Sequence, residues 1–484
     1  MALNQNTLRG TDSFADSCPS CGQTLKSSTS ALESVSSARD NVEIRNMRLI
    51  PQCATVFFSI VVLGCVLSSL IPPLQSPDEH DHINRAYLLA HMSSVHNMAG
   101  HSTGGEIDVG LHQFEVTFAQ ALIGKPKARF TTQLAREAAR IKWAHQEVFI
   151  DMAGAAPYFP LAYLPQAIGL RVGEALDLPV GESYSLARFA ALTIIALITA
   201  VAFAVWPPNA LLVCVLSLPM TMFQIASASA DGLAFAWLVL AGSLFMLGTT
   251  RGAVFRTWHA ALFLMAVCMV VSTRPQLLPI LSLPAVAFFV RRDWRWLAAS
   301  GVTAVAALVW LYTAAQVVDL RMPRSVTSEQ AIKLYVQHPF EFVAVFLRTL
   351  GDHVSHYFYW HSFVGILGWL DRPLPEFAYG ACGVGLATAM ALSIGKVSVA
   401  NRCLLIGCAL ASILLTFFAM LATWTDQPAQ FIVGVQGRYF IGPAILFAYA
   451  LGAPRAPLRI IVCGAFVAFT AAITASTVIW TYYL

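Results

Sequence analysis

Two patterns divide this chain. From Leu49 onward apolar runs recur, most of them near the roughly 20 residues needed to cross a hydrocarbon core of about 30 Å. Before Leu49 there is no apolar periodicity. The runs predict spans at 49–71, 185–206, 209–229, 232–250, 258–275, 276–290, 296–315, 376–394, 402–422, 438–452 and 459–480. Two long segments that carry charge throughout, about 72–184 and 316–375, interrupt them. Pro157 to Leu176 is moderately apolar but holds three prolines and Arg171. It reads as either another span or a helix lying along the membrane interface.

Charge decides between these. If Pro157–Leu176 does not cross, Arg251, Arg256, Arg291, Arg292, Arg295, Lys396, Arg402, Arg455 and Arg459 share one side, and Asp231, Asp371 and Asp426 the other. Basic short loops belong in the cytoplasm, so this arrangement is the expected one. The predicted fold is all-α: a polytopic transmembrane helical bundle of about eleven spans, N-terminus inside and C-terminus outside. Both long segments then lie outside, and Glu341 to Leu350 has the alternation of a helix resting on the membrane surface. These outer segments have too few Val/Ile/Thr alternations to predict a sheet.

Composition agrees. With 57% hydrophobic and 12% charged residues, the chain cannot clothe a soluble surface. Its net charge of +4 is too small to point to nucleic acid. Residues 1–46 are rich in Ser, Thr, Asn and Asp and are expected to be a disordered cytoplasmic tail. No signal-peptide core lies within the first residues, and Arg39, Arg45 and Arg48 flank the first span. Residues 47–484 form the membrane domain. Of ten cysteines, eight fall in apolar runs and Cys18 and Cys21 lie in the tail, so no disulfide framework is implied. Cys18-Pro19-Ser20-Cys21-Gly22 resembles half a zinc ribbon. A closed zinc site needs four ligands, and the tail supplies no second pair.

Three stretches carry candidate chemistry. Ser76-Pro77-Asp78-Glu79-His80-Asp81-His82 sets three carboxylates and two imidazoles just beyond the first span. The plain reading is a helix start, with Ser76 as N-cap, Pro77 at the first position and acids in the first turn. The functional reading puts Asp78, His82 and Arg85 on one helix face, fit for general-base work. The same face also admits a divalent cation, Mg2+ or Mn2+, on Asp78 and His82, a reading ranked below Asp78 as a base. Ala226 to Gly232 is a polar turn, or a route by which Asp231 joins Asp78 in one cleft. Gln436-Gly437-Arg438-Tyr439-Phe440 ends a short span. Arg438 either snorkels to headgroups or presents a planar fork to phosphate, and Arg274 beside Pro275 is of the same kind. No phosphate-binding glycine loop, nucleophile elbow or HExxH helix is present.

Four stretches together resemble one family. They are Pro77-Asp78-Glu79 with His82 and Arg85; Pro219-Met220-Thr221 leading to Ala226-Ser227 and Asp231-Gly232; Gly365 to Asp371 with Leu374-Pro375; and Gln436 to Phe440 with Pro443. The family is a group of bacterial polytopic proteins classed as a domain of unknown function and related to type C (GT-C) membrane glycosyltransferases. The resemblance implies sugar transfer from a polyprenyl-phosphate donor to a cell-envelope glycan, lipid or protein acceptor, on the outer face of the cytoplasmic membrane. It implies an acid in the first outer loop, matching Asp78 or Glu79, a second at Asp231, and a base near the donor phosphate at Arg438. His82, Arg85, Arg274, Gln436 and Tyr439 are the accompanying substrate-binding candidates. Some relatives bind a divalent cation and others do not, so the metal question stays open. Two other readings stand beside it: a transporter or flippase for lipid-linked saccharides, and a non-catalytic assembly partner.

Overall fold

The computed structural model describes residues 53–322, 324–452 and 458–484. Among these, six helices are long and apolar enough to cross a membrane: Cys53–Leu70, Val180–Val205, Asp231–Thr249, Trp294–Ala314, Val399–Thr423 and Leu458–Tyr482. Thr257–Thr273, Pro275–Arg291 and Gly437–Leu451 are shorter apolar helices. The tail, its Cys18–Cys21 pair and Arg455 lie outside the described residues. Val56–Leu484 forms one compact unit.

Burial grades the helices. Asp231–Thr249 is 83% buried over its apolar window, whereas Trp294–Ala314 and Cys53–Leu70 are 11% buried. An apolar helix that finds no protein partner must be covered by lipid, and Val302, Val305, Val309 and Tyr312 turn outward for that purpose. Around Asp231–Thr249 pack Ile195, Phe263, Val267, Leu283, Ile445 and Leu446, the centre of the membrane core. A second core joins Ile83, Leu88, Phe114, Phe118 and Tyr184 in the segment beyond the first helix.

Three expectations need correction. The run 209–229 is not one helix: Ala210–Leu216 ends at Ser217, and Pro219–Ile225 starts anew, because Pro219 has no N–H to continue the ladder. Ser76 does not cap the next helix. That helix is Glu79–Ala90, with Asp78 at its N-cap position in the left-handed region at φ 60°, so Asp78 leaves the face that His82 and Arg85 share. Finally, the first of the two long charged segments does contain a sheet. Gly104–Asp108 pairs antiparallel with Glu147–Asp151 in the register Gly104↔Asp151 to Asp108↔Glu147. Its first strand, Gly-Gly-Glu-Ile-Asp, lacks β-branched alternation and is fixed by packing, with Leu88 against Gly105. A second two-stranded piece, Ile366–Leu367 with Arg372–Pro373, closes the motif at 365–375.

The doubtful stretch Pro157–Leu176 becomes a short 3-10 turn, Pro160–Tyr163, followed by helix Leu164–Ala175. In the second long charged segment, helix Pro339–Gly351 turns Phe340, Val343 and Leu347 outward and buries Val345 and Thr349.

Candidate functional site

Four side chains from four distant stretches meet where helix ends converge. Asp78 lies beyond the first long helix and Asp231 opens Asp231–Thr249. Arg274 closes Thr257–Thr273, and Arg438 lies in the 3-10 turn Gly437–Phe440 that leads into Ile441–Leu451. The turn fits because position 437 is glycine: a Cβ there would sit 2.1 Å from the Tyr359 carbonyl oxygen. The Gly437 N–H instead donates to the Ser362 hydroxyl at 2.7 Å.

Arg438 Nη2 donates to Asp78 Oδ2 at 2.8 Å, and its Nη1 lies 3.7 Å from Asp231 Oδ2. Arg274 donates to Asp231 Oδ1 from the other side. Gln436 Oε1 accepts from Arg438 Nε at 2.7 Å, and the guanidinium lies 5.4 Å from the Tyr439 ring centroid. The result is an alternating row of two carboxylates and two guanidiniums, balanced in charge. Its members differ in access: the Asp78 side chain is 32% exposed, Arg438 5%, and Asp231 and Arg274 9% each. Burial raises the Asp78 pKa, but Arg438 more than offsets this and holds the carboxyl at about 2.

His82 reaches the edge of this row. Its Nδ1 lies 2.8 Å from the Tyr163 hydroxyl and its ring stacks on Tyr158 at 5.8 Å, while Arg274 covers the same Tyr158 ring at 4.8 Å. Burial, with the nearby Arg274 charge, pushes His82 down to about 4, so it is neutral at physiological pH. Arg85 is buried away from the row, with Nε unpartnered.

Glu79 goes elsewhere. It is fully buried, its Oε1 accepting from the Tyr184 hydroxyl at 2.7 Å, Ala228 N–H at 2.7 Å and Arg188 Nε at 3.1 Å. Its Oε2 takes Ser76 N–H and Arg188 Nη2, each at 3.1 Å. Burial works against its charge, but Arg188 outweighs it and the pKa falls. Arg188 also donates to the carbonyls of Ser68, Ile71 and Pro72. This clamp ties the end of the first helix to Val180–Val205 and to the serine-rich turn before Asp231. The motif at 365–375 supports it: the Trp369 indole donates to the Leu74 carbonyl at 3.0 Å.

Sequence reasoning missed Arg188, Tyr158, Tyr163 and Arg321. Arg188 had a signal, since a lone arginine inside an apolar run demands an acidic partner. The Pro-Tyr-Phe-Pro stretch at 157–160 signalled a built aromatic wall. Arg321 sits in a loop with no pattern to mark it.

A divalent cation does not fit this row well. Asp78 and Asp231 already hold guanidiniums, which a metal would have to displace, and the Nδ1 of His82 is engaged by Tyr163. Among the described residues no group of three or more His, Cys, Asp or Glu side chains is placed to hold a metal ion. A cleft of about 330 Å³ runs from Cys65 and Ser68 to Arg188 and Leu192, and neither Asp78, Asp231 nor Arg438 lines it.

Long apolar helices with an ionic row at their ends define a multi-pass membrane protein. The chain belongs to the family DUF2142, described as predicted membrane proteins, whose profile matches residues 61–447. No curated protein and no solved structure matches it.

Proposed function

We propose that the protein is a type C-like membrane glycosyltransferase. It would move a sugar from a polyprenyl-phosphate donor to a cell-envelope glycan, lipid or protein acceptor, outside the bacterial cytoplasmic membrane. The observation that carries this reading is the bridge made by Arg438 between the half-open Asp78 and the enclosed Asp231. Phosphate and carboxylate compete for the same planar fork. A donor phosphate that reaches Arg438 displaces the more exposed partner, Asp78, and lifts the constraint that keeps its pKa near 2. The freed carboxylate takes the proton of an acceptor hydroxyl, whose oxygen bonds to the anomeric carbon. The bond from that carbon to the phosphate oxygen breaks, and the lipid phosphate departs with the electron pair. Arg438 and Arg274 balance the charge it gains. A single displacement of this kind inverts the anomeric centre. Glu79 takes no part in the chemistry.

The sidedness comes from charge. The row lies at the same helix ends as Asp231, and the opposite ends carry Arg251, Arg256, Arg291, Arg292 and Arg402. Basic ends favour the cytoplasm, which supports a reading with the row outside and the N-terminus inside. In this reading about eleven segments cross, some broken, and helix Pro339–Gly351 lies on the outer leaflet by its apolar stripe.

The test uses the full chain in lipid nanodiscs with a polyprenyl-phosphate sugar and mass-spectrometric detection of product. Arg438→Gln and Asp78→Asn should each slow transfer about 100-fold or more. Undiminished transfer by Asp78→Asn would falsify the base role, and sided transport with no covalent product would favour a flippase.

A further inference from the structure

The chain leaving helix Trp294–Ala314 is fastened to the segment that leads into the strand Gly104–Asp108. Thr103 N–H donates to the Val318 carbonyl at 2.9 Å, Val318 N–H to the Thr103 hydroxyl at 2.8 Å, and Leu320 N–H to the Ser102 hydroxyl at 3.0 Å. This strap brings Arg321 beside the acidic stretch after the first helix. Its Nη1 is 3.8 Å from Asp81 Oδ2, and its guanidinium carbon is 5.4 Å from the centroid of Trp424. Asp319 holds it in bidentate fashion at 2.9 and 2.6 Å. Gly154 makes room for the approach: a Cβ there would lie 2.3 Å from Asp81 Oδ2 and 3.0 Å from Arg321 Nη1.

Arg321 differs from Arg274 and Arg438 in access. Its side chain is 38% exposed, against 9% and 5% for the other two. Its charge also bears on Asp78, so it belongs to the same electrostatic field. Its main partner, Asp319, keeps 24% of its side chain in water, and an ion pair that water reaches exchanges more readily than an enclosed one. An anion arriving from solution meets this guanidinium before the enclosed ones.

We propose that Arg321 is an outer anion-binding residue that captures the phosphate of a lipid-linked ligand before that phosphate reaches Arg438. The onward passage to Arg438 rests on the glycosyltransferase reading, and Trp424 supplies a reporter for the capture itself. The full chain in nanodiscs is titrated with polyprenyl phosphate and, separately, with inorganic pyrophosphate, while tryptophan emission is monitored. Both should give a saturable change that Trp424→Phe lacks. Arg321→Gln should weaken binding about tenfold, Arg321→Lys should recover part of it, and Asp319→Asn, by releasing the guanidinium, should tighten it. A purely structural arginine would not be improved by losing its partner.

Unchanged affinity in Arg321→Gln, a signal that survives Trp424→Phe, or the absence of any saturable change overturns the proposal. Binding of pyrophosphate without polyprenyl phosphate overturns the lipid-linked ligand. Arg438→Gln separates the two readings. If it keeps the capture signal but loses transfer, both stand. If it keeps both, capture stands and the donor reading falls. Loss of the signal in Arg438→Gln together with its retention in Arg321→Gln defeats capture alone.

Discussion

Asp78 and Glu79 are neighbours in the chain and have opposite surroundings. Glu79 is sealed, with both oxygens occupied by Arg188, Tyr184, Ala228 and Ser76. Asp78 keeps a third of its side chain in water and holds one guanidinium. The left-handed backbone at Asp78 turns its carboxylate away from the helix that Glu79 begins. A non-glycine residue there is strained, and the sealed neighbour anchors the chain on which that strain is imposed. Two acids of the same charge are thus set apart, one holding the loop and the other open to water.

That contrast can be broken most forcefully at the clamp. Arg188→Ala leaves the Glu79 carboxylate buried without its cation, and loss of one partner from a buried pair costs about 3–5 kcal/mol. Thermal stability in nanodiscs should drop sharply, and an unchanged melting temperature would refute the clamp. Asp78→Asn sharpens the comparison from the other side: it should leave the melting temperature within a few degrees while transfer falls about 100-fold. Equal destabilisation by both variants would erase the distinction.

A smaller effect concerns Glu115, packed near His80 and Asp81 and bonded by Asn84 Nδ2 at 3.2 Å. Burial lifts its pKa from 4.5 to about 8. Because the folded-state value is raised, its share of stability is complete below about 4.5 and is lost as pH rises through about 8. Glu115→Gln removes that dependence. The decline in melting temperature between these two pH values should therefore be shallower in the variant than in the wild type, and parallel curves would contradict the assignment.

The membrane helices were legible because length and apolarity are local properties, fixed by the thickness of a bilayer. Among the described residues, ten of the eleven expected runs reappear as apolar helices with ends shifted by a few residues, Glu376–Ser393 among them. The break before Pro219 was legible too, had the missing N–H been weighed. Of the site, the residues at 78, 231, 274 and 438 were marked by charge at the ends of apolar runs, and Gln436 and Tyr439 by standing beside Arg438. Their grouping was not, since Arg438 and Asp78 are 360 residues apart. The strand at 104–108 was hidden by a glycine pair that owes its strand shape to its partner at 147–151 and to Leu88.

By itself the sequence determined a multi-pass helical protein with acids at one set of helix ends and short basic loops at the other, because each apolar run must bury its backbone in lipid as a helix. Only the tertiary structure decided which acid is sealed and which is open. That choice turns on the direction of one side chain at φ 60° and on an arginine 109 residues beyond Glu79, neither of which local pattern can reveal.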